Sequence, residues 1–237
     1  ITGTKASGAE ISGYSGALEV NVVDFGADKK GKKDSSKAIQ KALDYAIDNG
    51  SNSVQIKVVV PKGKYRIDKL LEIYSNTWLY LEDGATIVRN FDKGCMIKNA
   101  QANGAGGYGS ERNIVIEGGC WDGNPSPTSR PFSNMRFGHM KNLWIKNVEI
   151  KNNYNGHHVE IGGVKGITIE DCDFHGYTGT FQKEAIQLDT ISNSDVFPAY
   201  EPFDDTPCDN AVIKNNKFHD LIRGLGSHSA CLGVYYT

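Results

Sequence analysis

The chain has 237 residues, 39% of them hydrophobic, with 26 Lys+Arg against 28 Asp+Glu and a net charge of −2. That balance excludes a nucleic-acid partner held by phosphate neutralisation, and no apolar run approaches the roughly 18 residues that a membrane-spanning helix needs. The 27 glycines imply a chain that turns often, and the length suits one domain or one elongated repeat array.

Residues 1–19 are rich in Gly, Ser and Ala without periodicity and read as a leader or linker. No signal peptide is visible, so a chain opening on Ile1 reads as a processed or excised piece. A short apolar strand, Val20 to Val23, follows. Asp34 is then placed as the N-cap of a helix that carries Ile39, Leu43, Ala46 and Ile47 on one face and ends at Asn49-Gly50. From residue 55 onward the pattern is all-β: short period-two runs such as Val58 to Val60, Trp78 to Leu81, Asn113 to Ile116 and Leu143 to Ile145, separated by Gly, Asn and Asp. Asn152, Asn153, Asn215 and Asn216 are read as turn residues, because Asn tolerates left-handed backbone. Trp78, Trp121 and Trp144 are read as packing residues. The five cysteines (Cys95, Cys120, Cys172, Cys208, Cys231) are spread too widely for a metal motif and read as buried free thiols.

An internal repeat organises the β region. The stretch from Met140 (Met-Lys-Asn-Leu-Trp-Ile-Lys-Asn-Val-Glu-Ile) recurs from Val164 (Val-Lys-Gly-Ile-Thr-Ile-Glu-Asp-Cys-Asp-Phe) and again from Cys208, at offsets of 24 and 44 residues. A period near 24 with several short strands per unit describes a β-solenoid. The larger offset is one coil plus an excursion from Ser192 to Pro207, and long solenoid loops tend to line a binding face. The chain stops at Thr237 soon after a strand, so further coils are expected beyond it.

The opening Asn21-Val-Val-Asp-Phe-Gly-Ala-Asp, the helix after Asp34, Val60-Pro-Lys-Gly-Lys-Tyr65 and Ile116-Glu-Gly-Gly-Cys-Trp-Asp-Gly-Asn124 with Arg130-Pro131 resemble, in that order, the pectin-lyase-like proteins. The motif order is most similar to family 28 polygalacturonases. The resemblance implies an all-β, right-handed single-stranded parallel β-helix over residues 20–237 with an N-terminal capping helix. It also implies an extracellular, secreted or surface-attached protein that meets a polysaccharide. The superfamily holds hydrolases, lyases, epimerases, phage spikes and non-catalytic adhesin domains, so fold alone does not fix activity.

Aligning coils by apolar alternation puts His157, Glu184 and His228 in one column about 4.8 Å per rung, a carboxylate between two imidazoles, and Arg136, Glu160, Gln187 and Cys231 in a second, outward-facing one. Relative to family 28, His228 falls on the family histidine and Glu184 on one member of the paired acids, whereas His157 and Lys183 stand where the other two acids are expected. An inverting hydrolase needs two carboxylates. Hydrolysis is therefore expected to use Glu184 with Glu160, Asp189 or Asp204-Asp205. Elimination or epimerisation of a uronate would instead use His157 or His228 as base, Tyr154 as proton donor and Arg136 or Lys183 as neutraliser.

The catalytic candidates are thus Glu184, His228, His157 and Asp189; the substrate-binding candidates are Arg136, His158, Glu160, Lys183, Gln187, Tyr200 and Arg223. Set against these, a lone His157 is more often a turn histidine bonded to backbone, and Glu184 could simply pair with a surface lysine. Phe197, Tyr200 and Phe203 are read as an exposed stacking edge. Asp204, Asp205 and Asp209 are the candidate ligands of a Ca2+ ion, the one cofactor contemplated, although acids in a loop more often stay solvated. The leading expectation is a monomeric glycoside hydrolase acting on a pectin- or polyuronate-like glycan. The alternatives are a non-catalytic glycan-binding adhesin or phage-spike domain, and a polysaccharide lyase or uronate epimerase.

Overall fold

The computed structural model describes residues 8, 9, 11, 13–101, 104–198 and 200–237. They form one right-handed parallel β-helix of the expected class. Three ladders run its length. The first stacks Gly16–Asn21, Val54–Val60, Thr77–Leu81, Glu111–Glu117 and the later parts of Met135–Lys146 and Val159–Glu170, then Asp209–Lys214 and Leu232–Tyr236. The second stacks Leu71–Ile73, Ile97–Asn99, the first parts of those two long strands, Glu184–Asp189 and Arg223–Gly226. The third runs from Lys30–Asp34 to Lys217–His219.

The repeat read from the sequence is the register of the ladders. Met140 pairs with Val164, and Ile145 with Ile169 and then Ile213, while Ile150, Phe174 and Phe218 line up on the third face. The inward column Val58, Leu79, Ile116, Ile145, Ile169, Ile213 is buried throughout. Each such side chain contributes about 1.5–3 kcal/mol by leaving water, which is why one register wins over a slip that would turn every one of them outward. Corners are made by left-handed residues: Asn76, Asn113 and Asn142 have φ of 62, 56 and 60°. Their amides form a ladder, Asn113 Nδ2 to Asn76 Oδ1 at 3.0 Å and Asn142 Nδ2 to Asn113 Oδ1 at 2.8 Å. Asn152 and Asn215 share that conformation, Asn153 is buried and donates to the Phe132 carbonyl, and Asn216 donates to the Ile169 carbonyl.

The helix spans Ser36–Asn49 and packs on Val54–Val60 and Leu71–Ile73 through Ile39, Leu43 and Ala46. Two expectations for the helix change. Ser35, not Asp34, occupies the N-cap; Asp34 sits one residue earlier and accepts from Ser36 N, Ser36 Oγ and Asp68 N, so its carboxylate ties the helix start to the next coil. Ile47 is 56% exposed, one position past the buried stripe. The first strand also begins at Gly16, so the leader is shorter than 19 residues, and residues 1–7, 10 and 12 of it lie outside the described residues. The strand expected to reach Val23 ends at Asn21. Four of the cysteines are buried and all are free. Trp121 is fully buried, whereas Trp78 and Trp144 lie half-buried on the outside of the first ladder beneath Lys57 and Lys146.

Candidate functional site

The second ladder carries the candidate residues on its outer face. Arg136, Glu160 and Gln187 stand in one column as expected. The last coil differs: Gln187 pairs with Gly226 and Glu184 with Arg223. Cys231 therefore leaves the second column, and the first column reads His157, Glu184, Arg223. His228 lies two residues beyond Gly226, over Asp189, and the array of a carboxylate between two imidazoles does not form. The physical reason is that the Arg223–Gly226 strand carries two glycines, so it has almost no alternation to reveal its register.

Asp189 is 1% exposed and binds the turn above it. Its Oδ1 accepts from His228 N at 2.8 Å, Ser229 Oγ at 3.1 Å and Ser227 Oγ at 3.4 Å, and its Oδ2 accepts from Gln187 Nε2. Gln187 Nε2 also lies 3.0 Å from His228 Nδ1. An amide N–H donating to Nδ1 places the proton of the neutral imidazole on Nε2, so His228, 60% exposed, offers the cleft a donor. His157 is the converse. Its Nδ1 lies 2.8 Å from the Glu184 carbonyl and donates to it, which leaves Nε2 as an acceptor. Burial holds His157 below its usual basicity despite Glu160, the Glu184 carbonyl and the Glu184 carboxylate nearby, so the ring is neutral at pH 7.

Glu160 and Glu184 are held by cationic partners in place. Glu160 Oε2 receives Ser133 Oγ at 2.7 Å, Arg136 Nε at 2.8 Å and Arg136 Nη2 at 2.7 Å. Glu184 Oε1 lies 3.1 Å from Arg223 Nη1, and its Oε2 is 4.0 Å from His157 Nδ1. Burial pushes the Glu184 carboxyl up, but its own N–H, Arg223 and His157 outweigh that and hold it below the ordinary value. A cleft of about 310 Å3 is lined by His157, Glu160, Lys183, Gln187, Asp189 and His228, together with Thr190, Ser192, Asp195, Val196 and Ser229. The last five were not singled out from the sequence, although Thr190 to Asp195 simply continue the chain from Asp189.

Several candidates lie elsewhere. His158 is fully buried, its Nε2 bonded to the His175 carbonyl and its ring edge-on to Phe174. Tyr200 and Phe197 are also fully buried; Tyr200 Oη donates to Asn99 Oδ1 and the Arg136 carbonyl, each at 3.0 Å. These two aromatics pin the excursion onto Gly138 and Gly162, whose missing side chains make the room. The expected stacking edge is a small core of its own. Asp204 accepts from Gly107 N and from Thr206, and Asp209 pairs with Lys165, so these two loop acids have separate partners. Tyr154 belongs to the third ladder, not to the cleft.

Residues 19–226 match the family of rhamnogalacturonase A/epimerase, pectate lyase-like proteins. The chain belongs to that family. Over 253 aligned residues it is 27% identical to the plasmin and fibronectin-binding protein A of Streptococcus pneumoniae, covering 91% of this chain and 34% of that protein. The chain thus spans about a third of the length of the curated relative it matches. The crystal structure of PfbA, a surface adhesin of Streptococcus pneumoniae, superposes with a TM-score of 0.75 at 24% identity, over 90% of this chain and 53% of that one. A putative glycosyl hydrolase from Parabacteroides merdae gives 0.69 at 16% identity, over 92% and 96%. At these identities the structural likeness establishes the fold.

Proposed function

We propose that this β-helix works outside the cell as a glycan-binding module of the adhesin kind, and that the cleft between Glu184–Asp189 and the 227–229 turn holds a polysaccharide without cleaving it. The observation that carries this reading is that the three carboxylates the second ladder brings to the cleft are each held by fixed partners: Glu160 by Arg136 and Ser133, Glu184 through Oε1 by Arg223, Asp189 by Gln187 and the 227–229 turn. An inverting hydrolase needs one carboxyl held protonated and a second free to activate water, and Glu184 is pushed toward the ionised form instead. A uronate base is no better placed, since the cleft-facing nitrogen of His228 carries a proton and the burial that keeps His157 neutral makes it a weak base. A donor on His228, an acceptor on His157 and a cation on Lys183 suit a sugar hydroxyl beside a carboxylate. The test is affinity electrophoresis on a panel of polyuronic and neutral glycans. Retardation by a uronic glycan that drops severalfold in Lys183→Ala and His228→Ala supports the reading; retardation unchanged by both removes the cleft from it.

The name of the pneumococcal relative specifies plasmin and fibronectin as its ligands. One surface here favours a second reading of that kind: the outer first ladder, where Trp78, Tyr80 and Trp144 are half-buried with Lys57 or Lys146 over their rings. Trp78→Ala with Trp144→Ala would abolish such protein binding and leave glycan retardation intact.

A further inference from the structure

On the third ladder, away from the cleft, two histidines stack across adjacent rungs. His175 and His219 are in register, with rings 4.6 Å apart and 10° from parallel. Asp173, on the same strand as His175, lies 2.9 Å from His219 Nε2. One ligand atom from each of the three lies within 4.8 Å of the others. The sequence carried the signal, since the repeat sets Asp173-Phe174-His175 against Lys217-Phe218-His219.

We infer that Asp173, His175 and His219 form a surface site for a divalent transition ion of the zinc type. Two imidazoles and one carboxylate are the donor set such ions prefer, with water completing the shell, whereas Ca2+ and Mg2+ take oxygen ligands. Each imidazole also has a carboxylate on one of its nitrogens: Glu149 Oε1 at 3.0 Å from His175 Nε2, and Asp220 Oδ2 at 3.1 Å from His219 Nδ1. That pairing orients metal-bound histidines and raises their basicity. At His219 the ion takes the place of the proton now shared between Nε2 and Asp173.

Neighbouring ligands around Zn2+ sit about 3.3 Å apart given Zn–N distances near 2.0–2.1 Å, so the site must close slightly. It can, because the His219 side chain is 50% exposed and lies on a strand of only three residues. The local charge is favourable as well, with Glu149, Asp173 and Asp220 set against Lys151 and Lys217. Cys120 borders Glu149, but burial and that carboxylate push its thiol up to about 12, which keeps it protonated and out of the donor set.

The experiment is a Zn2+ titration of the whole chain against a chromophoric chelator. One equivalent should bind, His219→Ala and His175→Gln should each weaken it at least tenfold, and Cys231→Ser and His228→Ala should leave it unchanged. Because His219 is exposed, His219→Ala should also keep the parent circular dichroism. Co2+ in place of Zn2+ should give d–d bands with no thiolate charge-transfer band. Absence of saturable binding, parental affinity in either histidine variant, or a thiolate band would overturn the assignment.

Discussion

The backbone N–H of His228 donates to Asp189 Oδ1 at 2.8 Å, and this contact fixes what the cleft can do. It puts the histidine above a buried carboxylate that is already fully engaged, and leaves Arg223 to neutralise Glu184.

Replacing Asp189 should loosen that turn. Asp189→Ala takes away the acceptor shared by the His228 N–H and the Ser229 and Ser227 hydroxyls, groups exposed enough to turn to water, so the turn loses its anchor without leaving buried donors stranded. Hydrogen exchange of the 227–229 amides should accelerate and glycan retardation should fall, while Asp189→Asn, which keeps an acceptor, should retain part of both.

Breaking the Arg136–Glu160 pair from one side should be costly. Both groups are largely buried, so Glu160→Ala leaves an uncompensated guanidinium and should destabilise by about 3–5 kcal/mol. The double variant Arg136→Met with Glu160→Leu should recover most of that loss in urea unfolding.

Gly138 and Gly162 should tolerate no side chain while the excursion is seated. A Cβ on Gly138 would lie 2.5 Å from Tyr200, and one on Gly162 would lie 2.7 Å from Phe197. Gly138→Ala should cost about 1–3 kcal/mol as overpacking does, and limited proteolysis should then cut within residues 192–207. Tyr200→Ala opens the same loop from the other side.

His158 should make the fold acid-sensitive. Burial lowers its pKa from 6.5 to about 4, against the smaller upward pull of its bond to the His175 carbonyl. The unfolded chain therefore takes up a proton below pH 6.5 that the folded chain refuses, so stability falls as pH drops from 6.5 toward 4, by about 3 kcal/mol at the limit. Urea midpoints across that range should slope downward, and His158→Leu should flatten the slope whatever its effect at pH 7.

The fold was legible because the solenoid repeats its inward column, so Ile145, Ile169 and Ile213 announce their own register. Arg136, Glu160 and Gln187 came with it. The last coil was not legible, because Gly224 and Gly226 have no side chains to mark a face and the polar residues after them invited a slip to His228. Tyr200 and Phe197 were misread since aromatics among acids look exposed. The counter-signal was Gly138 and Gly162, two outward positions without side chains that something had to cover. Helix capping failed by one residue for a related reason: Asp34 and Ser35 both suit a cap, and only the bond from Asp68 N to Asp34 commits the carboxylate elsewhere.

The most direct measurement is product analysis of a uronic glycan that the chain retards, incubated with the full chain and read for reducing ends and for the absorbance of unsaturated sugar. Saturable binding with neither product above background, unaltered by Glu184→Gln, is the expected result. Reducing ends that vanish in Glu184→Gln would contradict it and restore hydrolysis, and unsaturated ends would contradict it in favour of elimination.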